Sequence, residues 1–164
     1  MTKSGLSLDA ARTNIAFMTL KSSLYDTDFF AWSQEQADIL RAGKLAVADI
    51  DNIAEEIASM GRTEKRELVS RLTVLLMHLL KWTRQPEKRG ACWEATIRVQ
   101  RNRLVDHLDD NPSLTPLLPQ ALSSAFRDAR LEASAETGLA PASFPEVCPW
   151  SVAQALDEGF WPAA

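Results

Sequence analysis

Between Glu64 and Arg84 the chain places Leu68, Leu72, Leu75, Leu76, Leu79 and Leu80 three and four residues apart. This spacing gathers all six leucines on one side of an α-helix but scatters them over both faces of a strand. A helix so apolar must bury that side, and it is expected at the centre of a bundle. The helical period recurs along most of the chain, and no strand-like alternation lasts more than a few residues. The expected fold is all-α: a single-domain bundle of about five main helices joined by short antiparallel connections. A length of 164 residues suits one domain and lets the core form without metal or disulfide.

Breaks in the pattern set the expected elements. A first helix runs from Thr27 to Arg41, capped by Asp26 or Thr27, with Gly43 past its end. Asp49 or Asp51 opens a second, in which Ile50, Ile53, Ile57 and Met60 form a stripe expected to be buried. Gly61 is expected to stop it and Thr63 to cap the leucine-rich third helix. Pro86 marks a loop before a fourth helix over 92–108. Ser113 or Thr115 caps a fifth, with Pro116 in its first turn, Pro119 splitting that turn from the remainder, and Gly138 at its end. Ala121, Ala125, Ala129 and Ala133 permit a close neighbour. The tail is an irregular, proline-rich arm with a short helix over 151–156, pinned by Phe144, Trp150, Phe160 and Trp161. Residues 1–23 are expected to be a disordered or alternative-start extension, with Met18 reading as an alternative start that the first 17 residues precede, leaving 24–164 as the helical domain.

Charge is unevenly placed. Residues 1–61 carry a net −4, residues 62–103 a net +7 and residues 104–164 a net −7. The acidic total, −4, disfavours nucleic acid as a partner without excluding it. Cys92 and Cys148 form no CxxC, and no export signal is visible, so free thiols and a cytoplasmic location are expected. No apolar run is long enough to span a membrane. Glycine-rich phosphate loops and Glu-x-x-His metal motifs are missing, so no cofactor and no metal are expected. Glu55 and Glu56, being adjacent, point about 100° apart on a helix and cannot share one metal.

Two readings compete for a polar stripe on the leucine-rich helix. Glu67, Arg71, His78, Lys81 and Gln85 fall within about 40° of one direction. As structure, Arg71, Lys81, Arg98 and Arg101 form interhelical ion pairs with carboxylates such as Glu55, Glu56 or Glu94, because a partly buried charge needs a partner. As a site, His78 is a general acid or base, while Arg71, Lys81, Arg89, Arg98 and Arg101 near Trp93 hold a phosphate or carboxylate. Arg71 and His78, two turns apart, resemble the Arg-x6-His pattern of HEPN-type ribonucleases, which act on RNA without a metal. His107, among Asp106, Asp109 and Asp110, is expected on the surface.

Six segments carry a broader likeness: LYDTDFFAW from Leu24, DIDNIAEEIASMGRTEKREL from Asp49, LLMHLLKW from Leu75, QPEKRGACWEATIRVQR from Gln85, ETGL from Glu136 and FPEVCPW from Phe144. Together they resemble the bacterial family catalogued as domain of unknown function 29, from Leu24 to the C-terminus. The resemblance implies a helical bacterial protein and assigns no activity. Where RSxSW is expected, this chain reads RGACW, so a hydroxyl is missing before Trp93. The expected function is binding of a protein partner or of a second copy; the alternative is metal-independent phosphodiester (RNA) cleavage through Arg71 and His78.

Overall fold

The computed structural model describes residues 24–163, and the expectations for residues 1–23 lie outside them. The described residues are helical with no strand, an all-α fold. In chain order the helices are α1 (Phe29–Arg41), α2 (Ile50–Arg84), α3 (Ala91–Asp110), α4 (Leu118–Thr137) and α5 (Val152–Leu156). Short 3₁₀ turns, Leu45–Val47, Pro86–Lys88, Pro112–Leu117 and Pro141–Ser143, join them. The chain divides into two compact units, one ending at Met60 and one beginning at Gly61.

In the first unit, residues 24–27 make a helical turn that breaks at Asp28. Asp28, rather than Asp26 or Thr27, caps α1: its carboxylate accepts the Ala31 N–H at 2.9 Å. Gly43 adopts φ +68°, the left-handed conformation that ends helices. Trp32 and Gln36 are the residues α1 buries. Both serve Asp49: the Trp32 indole N–H donates to its carboxylate at 3.1 Å, and the Gln36 side-chain oxygen accepts its backbone N–H at 2.8 Å. Asn52 donates to the same carboxylate. Tyr25, Phe29 and Trp32 stack within 6 Å of one another, and the Tyr25 hydroxyl donates to Glu56.

Gly61 does not stop α2, and Thr63 caps nothing there; both lie inside a helix of 35 residues. The reason is conformational. A glycine ends a helix by turning left-handed, and only Gly43 and Gly138 do so among the described residues. An interior glycine costs about 1 kcal/mol, which the good helix formers Met60, Arg62, Glu64, Lys65 and Arg66 around it offset.

The second unit holds the main core. Leu68, Leu72, Leu75, Leu76, Leu79 and Leu80 of α2 are buried with Ile97 and Leu104 of α3. From α4 come Leu118, Leu122, Phe126 and the four alanines 121, 125, 129 and 133. The small residues bring α4 close enough for the Thr73 hydroxyl to reach the Ala125 carbonyl at 3.5 Å. Pro119 sits in the first turn of α4, where its missing N–H costs nothing. Ser113 and Thr115 lie in the preceding 3₁₀ turn instead of capping α4. Gly138 (φ +73°) closes α4. The arm is anchored as its aromatics suggest: Phe144 and Trp150 are buried, and Phe160 and Trp161 pack against the core. Ser151 caps α5 in a reciprocal capping box with Gln154.

Candidate functional site

Two regions could do chemistry or bind: the basic stretch of the second unit and the apolar stripe of the first. The basic stretch was expected to find carboxylates across helices, and one cation does. Lys81, 6% exposed, pairs with Glu136 of α4 while its ammonium lies 4.7 Å from the Trp93 ring centre. Glu136 is the residue that the sequence reading missed. Its position offers a weak signal: an acid in the last turn of a helix opposes the helix dipole, and a nearby cation offsets that cost.

The other pairings correct that expectation. Arg71 pairs with Glu67 and Arg98 with Glu94, each four residues away on the same helix. Glu94 is thus an intrahelical partner, and Glu56 receives the Tyr25 hydroxyl instead of a cation. Arg71, Lys81 and Arg98 thus take Glu67, Glu136 and Glu94 in place of Glu55 or Glu56.

Arg101 departs furthest from the expectation. It is fully buried, and among the described residues no carboxylate pairs with it. Its guanidinium donates to three carbonyls of the arm: Ala155 at 2.9 Å, Glu158 at 3.4 Å and Phe160 at 2.7 Å. Burial lowers its pKa, but an arginine starts so high that it stays charged. Backbone carbonyls leave no trace in a search for opposite charges, so the sequence does not reveal this contact.

Tryptophan faces take up much of the remaining charge. Trp82 and Trp161 stack at 4.7 Å. Arg89 lies over Trp82 and donates to its carbonyl at 2.8 Å, while Arg98 and Arg101 lie over Trp161. Each such contact contributes about 0.5–2 kcal/mol, depending on desolvation. Beside this cluster the arm forms a groove of about 420 Å³, walled by Trp150, Phe160, Trp161 and prolines, with Arg84 at its lining.

His78 is half-buried, and its Nδ1 lies 2.9 Å from the Val74 carbonyl, as a donor in the neutral tautomer. Burial, and secondarily the Lys81 charge, lower its pKa. Arg71 is held by Glu67, and its Nε is buried without a partner. His107 is not a surface residue: its Nε2 lies 3.0 Å from the Glu64 carbonyl and little of its side chain is exposed. Its Nδ1 lies 3.7 Å from the Glu64 carboxylate. Both cysteines are free thiols. Cys92 is exposed, while Cys148 is partly buried and its pKa is raised by that burial. Gly90 stands at the N-cap of α3, where it makes no side-chain bond.

The first unit corrects a second expectation. Among the described residues the stripe on the opening turns of α2 is left open: Ile50 is 50% exposed, Ile57 65% and Met60 68%, with Ile53 partly buried. These side chains span about 80° of the helix circumference and about 15 Å of its length. Glu56 borders one edge; Ala54 and Ala58 border the other, with Asp51 beyond them. The described residues of this unit, 24–60, hold eight carboxylates against Arg41 and Lys44, a net −6, and Arg41 is already paired with Asp38.

Among the described residues, no group of His, Cys, Asp and Glu is placed to hold a metal, and no helix is long and apolar enough to cross a membrane. No curated protein and no solved structure matches the chain. The model of one family, the domain of unknown function DUF29, matches residues 24–161, and the chain belongs to that family.

Proposed function

We propose that this protein is a cytoplasmic protein-binding module and that the opening turns of α2 are its docking face. The observation that carries this reading is the exposed stripe of Ile50, Ile57 and Met60. Single exposed apolar residues are ordinary; several aligned on one face mark a place where another surface sits. The rest of the molecule supports a binding role over a catalytic one. Lys81 and Arg101, the two most buried cations proposed for a site, hold α4 and the arm in place. Phosphodiester cleavage by Arg71 and His78 remains the alternative, and metal-free RNA cleavage by wild type against His78→Ala is its test.

Docking is tested by comparing what immobilised wild type and an Ile57→Glu/Met60→Glu variant retain from a lysate of the source cells. A retained protein is then purified and titrated against both. The expected result is one partner that wild type holds and the variant loses, with helical content unchanged. Equal binding of every retained protein by both forms would overturn the reading.

A further inference from the structure

We propose that the groove of the arm is a second binding site, taking a small aromatic carboxylate whose ring lies against Trp150, Phe160 and Trp161 and whose carboxylate meets Arg84. The groove lies wholly within the second unit, so it stands apart from the docking face above. Its walls are fixed before any ligand arrives. Trp150 is buried, Trp161 stacks on Trp82, and Arg101 holds the carbonyls of Ala155, Glu158 and Phe160. Prolines add rigid, flat walls, and buried Leu80 closes the inner side. Such preorganisation removes much of the ordering cost of binding. At about 420 Å³ the groove is near the small end of ligand pockets, which run from about 300 to about 1,000 Å³, so it suits a ligand of one or two fused rings. Ring faces on several walls favour a flat aromatic over an aliphatic chain.

Charge selects the ligand's polar end. Arg84, exposed in the last turn of α2, is the one charged residue of the lining. Among the described residues no carboxylate or carbonyl bonds its guanidinium. The arginines beside it are engaged: Arg89 donates to the Trp82 carbonyl, Arg98 pairs with Glu94, and Arg101 donates to the arm. The helix dipole favours a cation at this end of α2 but leaves the donors of Arg84 open. Nearby acids do not stand in for a ligand. Glu94 is used by Arg98, while Asp157 and Glu158 act on Arg101, whose pKa they raise. Glu87 is offset by the adjacent Lys88, and Glu146 is exposed; none of these lines the groove. A carboxylate matches the fork of the guanidinium with two parallel bonds. A cationic ligand would be repelled, and a neutral one would leave Arg84 unused.

The test titrates the full-length protein calorimetrically with three probes that share one ring system: naphthalene-2-carboxylate, 2-naphthylmethanol and 2-naphthylmethylammonium. The carboxylate should bind about fivefold more tightly than the alcohol, as one exposed ion pair supports, and the ammonium more weakly than either. Arg84→Gln should bring the carboxylate to within about twofold of the alcohol and leave the alcohol itself unchanged. Nuclear magnetic resonance locates the site through the indole N–H signals of the five tryptophans. The carboxylate should shift those of Trp150 and Trp161 and leave that of Trp32, in the first unit, in place. Ile57→Glu/Met60→Glu should bind the carboxylate as wild type does, so failure here leaves the docking face untouched. Equal affinity for carboxylate and alcohol, or an Arg84→Gln variant that keeps their difference, would overturn the proposal. So would a shift at Trp32 without one at Trp150 and Trp161, or no binding of any probe at millimolar concentration.

Discussion

Residues 50–60 and residues 68–80 of α2 both set large apolar side chains three and four positions apart, yet Ile57 and Met60 face solvent while Leu68 to Leu80 form the core. The difference is what lies opposite. The leucines meet two long helices, and the four alanines of α4 allow close contact. Among its described residues the first unit offers α1, which buries Trp32 and Gln36 and leaves Phe29, Phe30 and Leu40 exposed. Helical periodicity identifies the side of a helix that seeks cover; whether cover exists depends on residues distant in sequence.

The largest effect should come where cover is held by one side chain. Arg101→Met removes donors from the Ala155, Glu158 and Phe160 carbonyls. At about 1.5–3 kcal/mol for each good charge-assisted bond, the loss should be about 3–6 kcal/mol. Urea unfolding would show it, and near-ultraviolet circular dichroism would report the freed Trp161. Next is the comparison within α2 itself. Leu76→Ala should cost about 2–5 kcal/mol as a core cavity, whereas Ile57→Ser should stay within about 0.5 kcal/mol. If both cost the same, the two halves of α2 are not different in cover.

The glycines sharpen the comparison at smaller amplitude. A Cβ at Gly61 would meet open space, so Gly61→Ala should stabilise by about 1 kcal/mol. Gly138→Ala should destabilise by about 1 kcal/mol, because its φ of +73° strains any other residue. Opposite shifts in thermal midpoint would distinguish a helix interior from a helix end. Gly90→Ser, which restores a capping hydroxyl at the start of α3, should gain a few tenths of a kcal/mol.

His78 gives the second unit a pH effect near neutrality. His78 has a folded-state pKa below its ordinary value near 6.5, because burial disfavours its charged form. The unfolded chain then binds a proton that the folded chain refuses, so stability falls as pH drops below about 6.5. A His78→Gln variant should show a shallower loss of urea midpoint between pH 7 and pH 5 than wild type. An unchanged slope would mean that the side chain is not withdrawn from water.

Much of this fold is written in local pattern. The six leucines, the small-residue face of α4, the glycine ends at Gly43 and Gly138 and the aromatic anchors of the arm follow from spacing and residue type. The uninterrupted α2 does not, because Gly61 can serve as a stop or be carried within a helix, and its neighbours decide. The basic stretch was legible as charge that needed compensation. Its partners were not, since most of that compensation comes from ring faces, backbone carbonyls and residues on the same helix. Lys81 shows the limit: its need for an acid was readable, but choosing Glu136 over Glu55, Glu56 or Glu94 required knowing which helix lies beside it.

The most direct measurement of the uncovered stripe is thiol reactivity in the native protein. With Cys92 and Cys148 replaced by serine, Ile57→Cys and Leu76→Cys variants are labelled under native conditions and again in urea. The thiol introduced by Ile57→Cys should react within about tenfold of its unfolded rate, as expected at a solvent-facing position. The one introduced by Leu76→Cys should be protected by orders of magnitude, reacting only when the core opens. Equal protection at both positions would mean that the opening turns of α2 are covered and would contradict the docking face.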